Sequence, residues 1–124
     1  MNVVDSSGWI EYFLDSPRAD LFAAAIEDVT KLLVPVVSIY EVHKILSRKL
    51  PAGAVLSCLD VMRQGRMLDL TDRRAVASAD MAGKHKLAMV DAVIYSMARE
   101  FEATLWTQDV HYDGLAGVKF FVKP

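Results

Sequence analysis

The sequence predicts an α/β fold in three layers: a mostly parallel central sheet with helices on both faces. Two observations lead there. Short apolar runs alternate with longer segments of helical periodicity along the whole chain, the pattern that a sheet covered by helices produces. The 124 residues contain no internal repeat, linker or block of like charge, so residues 1–124 are expected to form a single domain around one ordinary core.

The elements follow in order. Asn2-Val3-Val4-Asp5 reads as a short buried strand that stops at an acid. After Ser6-Ser7-Gly8, the residues Trp9, Ile10, Tyr12, Phe13 and Leu14 fit a short helix. Ser16-Pro17 ends that helix and starts another, since proline is tolerated in a first turn. Leu21, Phe22, Ala25, Ile26 and Val29 give the second helix its apolar stripe. Lys31 to Val37 is a second strand, and Pro35 belongs at its edge or exit because it cannot donate to a ladder. Ser38 is expected to open a helix carrying Ile39, Val42, Ile45 and Leu46, which Pro51 breaks. Val55, Cys58, Leu59 and Met62 mark a fourth helix, ended by Gly65. Met67 to Leu70 is a short strand. Thr71 caps a helix running to about Lys86, and Asp91 begins one with Val93, Ile94, Met97, Ala98 and Phe101 on one side. Thr104 to Thr107 and Val118 to Val122 are the last two strands, joined by a polar loop with turn formers Asp113, Gly114 and Gly117.

Composition narrows the function. A single cysteine, Cys58, excludes an internal disulfide framework and a cysteine-based zinc finger, and its place on an apolar helical stripe suits a buried structural thiol. Lys plus Arg number 14 against 16 Asp plus Glu, which argues against holding nucleic acid by bulk positive charge. No apolar run approaches the ~20 residues of a membrane span, and no basic-then-apolar leader opens the sequence. A reduced cytoplasmic setting is the expectation. Phosphate-binding and dinucleotide glycine motifs and the Gly-x-Ser-x-Gly elbow are all missing. Haloacid-type hydrolases want a second Asp two residues after the first, where Ser7 stands.

In an open parallel sheet the ligand site lies beyond the carboxyl ends of the strands. Asp5 ends the first strand, Glu41 lies about a helical turn past the second, Asp109 sits two residues past Thr107, and Asp91 starts the helix before that strand. Each has a structural alternative. Ser38 and Glu41 match a capping box, Asp91 a helix cap, and Asp109 a turn. Asp5 is harder to dismiss, because it interrupts an apolar strand with no basic residue nearby. Two carboxylates ~4 Å apart repel by about 4 kcal/mol at an effective dielectric near 20. Four together call for a counterion, and oxygen ligands suit Mg²⁺ or Mn²⁺. Such a cluster is the apparatus of metal-assisted phosphodiester hydrolysis.

The segments Val3 to Phe13, Ser38 to Val42, Val90 to Tyr95 and Leu105 to Asp109 resemble, in order and across nearly the whole chain, the PIN-domain ribonucleases. The first segment and the small size are similar to the VapC-type toxins of prokaryotic toxin–antitoxin pairs. The resemblance implies a PIN-like three-layer fold in which Asp5, Glu41, Asp91 and Asp109 hold Mg²⁺ or Mn²⁺ and cleave RNA, with Ser6 and Thr107 in support. It also implies a cognate VapB-type antitoxin and a homodimer. An inhibitory tail could place an Arg on two of the acids and rest on Trp9, Tyr12 and Phe13. His43, Lys44 and the run Tyr95-Ser96-Met97 depart from the common pattern, which bears on substrate choice. The competing reading is a catalytically silent PIN-like regulator that binds RNA or protein.

Other residues are secondary. Lys84 and Lys86, in a basic stretch leading to Asp91, are candidate RNA-phosphate contacts, or cations favoured at a helix C-terminus. Arg73 and Arg74 read as a solvated helix face. His43, His85 and His111 share no ligand spacing, although His111 lies in the loop of Asp109. Asp69 reads as strand or turn structure, and Asp113 as a turn former. Met62, Met67, Met81, Met89 and Met97 are expected to leave apolar surface for a dimer.

Overall fold

A computed structural model describes all 124 residues. Five parallel strands form one sheet in the order β3-β2-β1-β4-β5. They are β1 (Asn2–Val4), β2 (Leu32–Pro35), β3 (Arg66–Leu68), β4 (Thr104–Thr107) and β5 (Val118–Phe120). The helices are α1 (Ser6–Phe13), α2 (Ala19–Glu27), α3 (Val36–Leu46), α4 (Ala52–Met62), α5 (Asp72–His85) and α6 (Met89–Glu100), with 3-10 turns at Val29–Lys31 and Val110–Tyr112.

Strand alternation divides the core between two faces. Val3, Leu33 and Leu105 point to one side and pack with Ile94, Met97 and Tyr112 from α6 and the turn after β4. Val4, Leu32 and Val34 point to the other, against Trp9, Phe22, Val42 and Leu59 from the first four helices. The sheet is therefore buried on both sides, and β2 is apolar at every position. Gly8 lets α1 settle between α2 and β1. A Cβ there would lie 2.6 Å from Phe22 Cδ1 and 2.7 Å from Val4 Cγ1.

Several boundaries differ from expectation. Strand β2 stops at Pro35, whose extended backbone (ψ 133°) caps α3 directly, so the helix starts at Val36 and not Ser38. Ser38 lies within the first turn with its Oγ buried and without a partner, and the capping box with Glu41 does not form. Helix α6 is capped by Ala88, which moves Asp91 into its first turn. Lys84 and His85 belong to the last turn of α5, and Lys86 closes that helix in the left-handed conformation at φ 56°. Thr71 caps α5 as expected, accepting from Arg74 N–H at 3.2 Å. Arg74 is not merely solvated. Its guanidinium makes a two-point contact with Glu100 at 3.0 and 3.1 Å and lies over Phe101, joining α5 to the end of α6. The methionine argument for a dimer also fails: Met62 and Met97 are core, Met67 and Met81 are partly buried, and Met89 alone stands out, 72% exposed. No helix is long and apolar enough to cross a membrane.

Candidate active site

Because all strands are parallel, β1, β2 and β4 release the chain at the same edge of the sheet. Asp5 follows β1 and caps α1. Its Oδ1 accepts from Ser6 N–H at 2.8 Å, and its Oδ2 accepts from Ser7 Oγ at 2.8 Å and Thr107 Oγ1 at 3.0 Å. Thr107, fully buried at the end of β4, also accepts from the Asp109 N–H at 2.9 Å. One hydroxyl thus fixes the first acid to the backbone of the last. Asp109 in turn caps the 3-10 turn, accepting from His111 N–H at 2.9 Å, and its Oδ1 lies 2.8 Å from His111 Nδ1. Tyr112, buried in the same turn, donates its hydroxyl to the main-chain carbonyl of Asp91 at 3.0 Å, which ties the loop to α6.

The charges of these acids act on one another. Asp5 is 3% exposed, and burial pushes its carboxyl up to about 6. The Ser7 and Thr107 hydrogen bonds oppose that rise, and the charges of Asp91 and Asp109 add to it. Asp91 is raised by burial, then by Asp109 and Glu41, with Tyr112 and His111 pulling the other way. The Tyr112 phenol is held far above its ordinary value by burial and then by Asp5, Asp91, Asp109 and Glu41. The largest influences on Asp5 and Asp91 are burial, hydrogen bonds and the neighbouring acids, with His111 the one cationic group among them. The tightest grouping is Asp91, Asp109 and His111, which offer ligand atoms all within 4.8 Å of one another. Asp5 and Glu41 stand outside that trio.

A family model for the PIN domain matches residues 3–118. The chain belongs to the PIN domain family. Among solved structures this PIN domain is similar to VapC20 of Mycobacterium tuberculosis, described as a Sarcin-Ricin loop cleaving toxin, at 16% identity and TM-score 0.80 over 100% of both chains. It is similar to a chain of a toxin–antitoxin complex from Klebsiella pneumoniae at 15% identity and TM-score 0.78, covering 96% of each. A third, from VapBC2 of Rickettsia felis bound to a promoter DNA fragment, has 14% identity and TM-score 0.74, covering 97% of this PIN domain and 96% of that chain. No curated protein sequence matches.

Of the other residues singled out in the sequence, Ser6 is buried beside Asp5 with its Oγ unpartnered. Lys84 and Lys86 are exposed just ahead of α6. Asp69 is exposed and offers only its carbonyl, to Arg74. His43 is exposed on α3, whereas His85 packs edge-on against Tyr95. Sequence reasoning undervalued His111 and passed over Tyr112. The signal for both was their position in the two-to-three-residue stretch after Asp109, where a 3-10 turn folds side chains back toward the strand ends.

Proposed function

We propose that this PIN domain is a metal-dependent endoribonuclease, the toxin of a toxin–antitoxin pair, with Asp5, Glu41, Asp91 and Asp109 as its working acids. The observation that carries the reading is the mutual opposition of carboxylates from four separate elements, which raises both Asp5 and Asp91. A binding module would gain nothing from that arrangement. The donor set fits a hard cation such as Mg²⁺ or Mn²⁺, being dominated by carboxylate oxygens. Asp5, Asp91 and Asp109 would hold it, with Glu41 completing the acidic wall and the spare Ser6 Oγ adjacent. When bound, such an ion neutralises the scissile phosphate and lowers the pKa of the attacking water.

The chain's own part is to hold these oxygens in place. Ser7 and Thr107 occupy Oδ2 of Asp5 and the Ser6 amide occupies one lone pair of Oδ1, so that Oδ1 keeps an acceptor direction free. Thr107 and Ser7 thereby act as positioning residues through their hydroxyls, whereas Ser6, expected from the resemblance to assist by its hydroxyl, contributes its main-chain N–H. Lys84 and Lys86 are proposed to meet the RNA backbone. The similarity to VapC-type structures supports a VapB-type antitoxin as partner, and a homodimer is proposed on the family resemblance alone. An antitoxin Arg pairing with two of the acids would supply the cation that the site lacks.

The test is cleavage mapping on total RNA with Mg²⁺ or Mn²⁺, with excess EDTA, and with Asp5→Asn. Defined cuts that need the divalent ion and vanish in the variant are expected. Undiminished cutting in chelator would remove the metal from the mechanism, and no cutting under any condition would remove the nuclease. Light scattering checks the dimer, which a mass of 13.8 kDa at micromolar concentration would rule out.

A further inference from the structure

The chain has a net charge of −2, yet its charges are unevenly spread. From Val42 to Leu59 there are 18 residues without an Asp or Glu, the longest such run in the sequence, and they include Lys44, Arg48 and Lys49. All three cations are exposed, and none is in an ion pair. The run starts immediately after Glu41, whose charge bears on Asp91, so it leads away from the acids. At its head stands Tyr40, in the same turn of α3 as Glu41. Of the eleven aromatic residues, ten are buried or partly buried, and Tyr40 alone stands in solvent, 62% exposed. Lys44, one turn and about 6 Å further along the axis, holds its ammonium 5.9 Å from the centre of that ring. Ring and cation therefore share one face, which Arg48 and Lys49 extend into the turn after α3.

We infer that this face of α3 guides a single strand of RNA to the acids, with Tyr40 stacking an unpaired base and Lys44 and Arg48 meeting the phosphates next to it. The inference rests on the ribonuclease reading. Single strands are held by a combination of aromatic rings, on which any base can stack, and cations that follow the backbone. Such binding needs a local strip of positive charge and not a basic protein, because each Lys or Arg acts on the phosphate it meets. The dipole of α3 also favours cations near its end, but it gives no reason for an aromatic ring in solvent beside the acids. A ring, a cation one turn on and further cations beyond it are what a strand leaving the site would meet in succession.

The test is fluorescence anisotropy of the full chain with a short labelled oligouridylate, in EDTA and over a range of salt, with a thermal melt of each variant. Wild type is expected to bind with a steep salt dependence. Lys44→Ala combined with Arg48→Ala should weaken binding and lower the slope of log affinity against log salt by about 1.4, that is, ~0.7 for each lost phosphate contact. Tyr40→Ala should weaken single-strand binding about tenfold, Tyr40→Trp should retain it, and an RNA duplex should not register either change. Affinity and slope unchanged in the double variant, no binding by wild type, or equal losses on duplex and single strand in Tyr40→Ala would each overturn the inference. Polyglutamate that displaces the RNA as well as unlabelled RNA does would make the face a site for acidic peptides and overturn it too. RNA held through this face but left uncut when Mg²⁺ or Mn²⁺ is added supports the surface and overturns the nuclease.

Discussion

Asp5 is ionised at neutral pH only against the opposition of its surroundings. Its folded pKa of about 6 lies above the ordinary value of 3.8, so the folded state holds the proton more tightly than the unfolded state. The sign follows from linkage: the contribution of Asp5 is fully present below pH 4 and is lost as pH rises through 6, by roughly 3 kcal/mol at most. Metal-free protein is therefore expected to melt at lower temperature at pH 7 than at pH 5. Asp5→Asn should flatten that slope, raise the melting temperature at pH 7 and abolish RNA cleavage. Calorimetry across pH 5–7 with a parallel cleavage assay checks all three, and an unchanged slope in the variant would assign the effect elsewhere. Asp5 was legible in the sequence because an acid ending an apolar strand has few structural uses. The role of Thr107 as a bridge between Asp5 and the Asp109 amide was not, since it depends on β4 lying directly beside β1.

At the scale of elements, the ends of helices carry both the departures from expectation and the clearest trade-off. Helix α5 closes on Lys86 in a left-handed conformation, where glycine is favoured because a Cβ is crowded. Lys86→Gly is expected to stabilise the protein by about 1 kcal/mol while weakening single-stranded RNA binding. A thermal melt and an anisotropy titration separate the two effects. Equal RNA affinity would leave Lys86 as a helix terminus and nothing more. The sequence showed each strand and helix through its apolar period, but not the start of α3. Ser38 and Glu41 have capping-box spacing, yet Pro35 had already turned the chain, and the Ser38 hydroxyl was drawn into the core. Asp91 likewise suits a cap, but it serves the rim from inside the first turn of α6 while Ala88 takes the cap position. His111 was obscured because a 3-10 turn of three residues has no apolar period to reveal it.

For the molecule as a whole, the proposed metal site would couple ion binding to stability. A divalent ion that binds only the folded state stabilises it by about 2.7 kcal/mol at a hundred times its dissociation constant. Adding Mg²⁺ or Mn²⁺ at pH 7 is expected to raise the melting temperature, and EDTA to reverse the gain. The increment should shrink toward pH 5 as Asp5 takes up its proton. A shift of equal size in Asp5→Asn would place the ion away from the rim. The three-layer arrangement itself was readable in the sequence. The crossing of chain segments that makes the site was not, because it follows from sheet order, which periodicity does not encode.

That sheet order has a consequence for the chain as it is being made. The first strand to be synthesised, β1, occupies the centre of the sheet, and one of its two neighbours is β4, about a hundred residues later. At roughly 5–20 residues per second, β1 waits about 5–20 s for that partner. Until then Asp5 has no Thr107 to hold it, and Asp109 does not yet exist. On the proposed nuclease reading, an unfinished polypeptide therefore lacks the assembled acids that cleavage would need. A chain cut short after Phe101 is expected to show no cooperative melt and no cleavage. Recovery of either in that truncated chain would mean that the first three strands and six helices assemble without waiting for the rest.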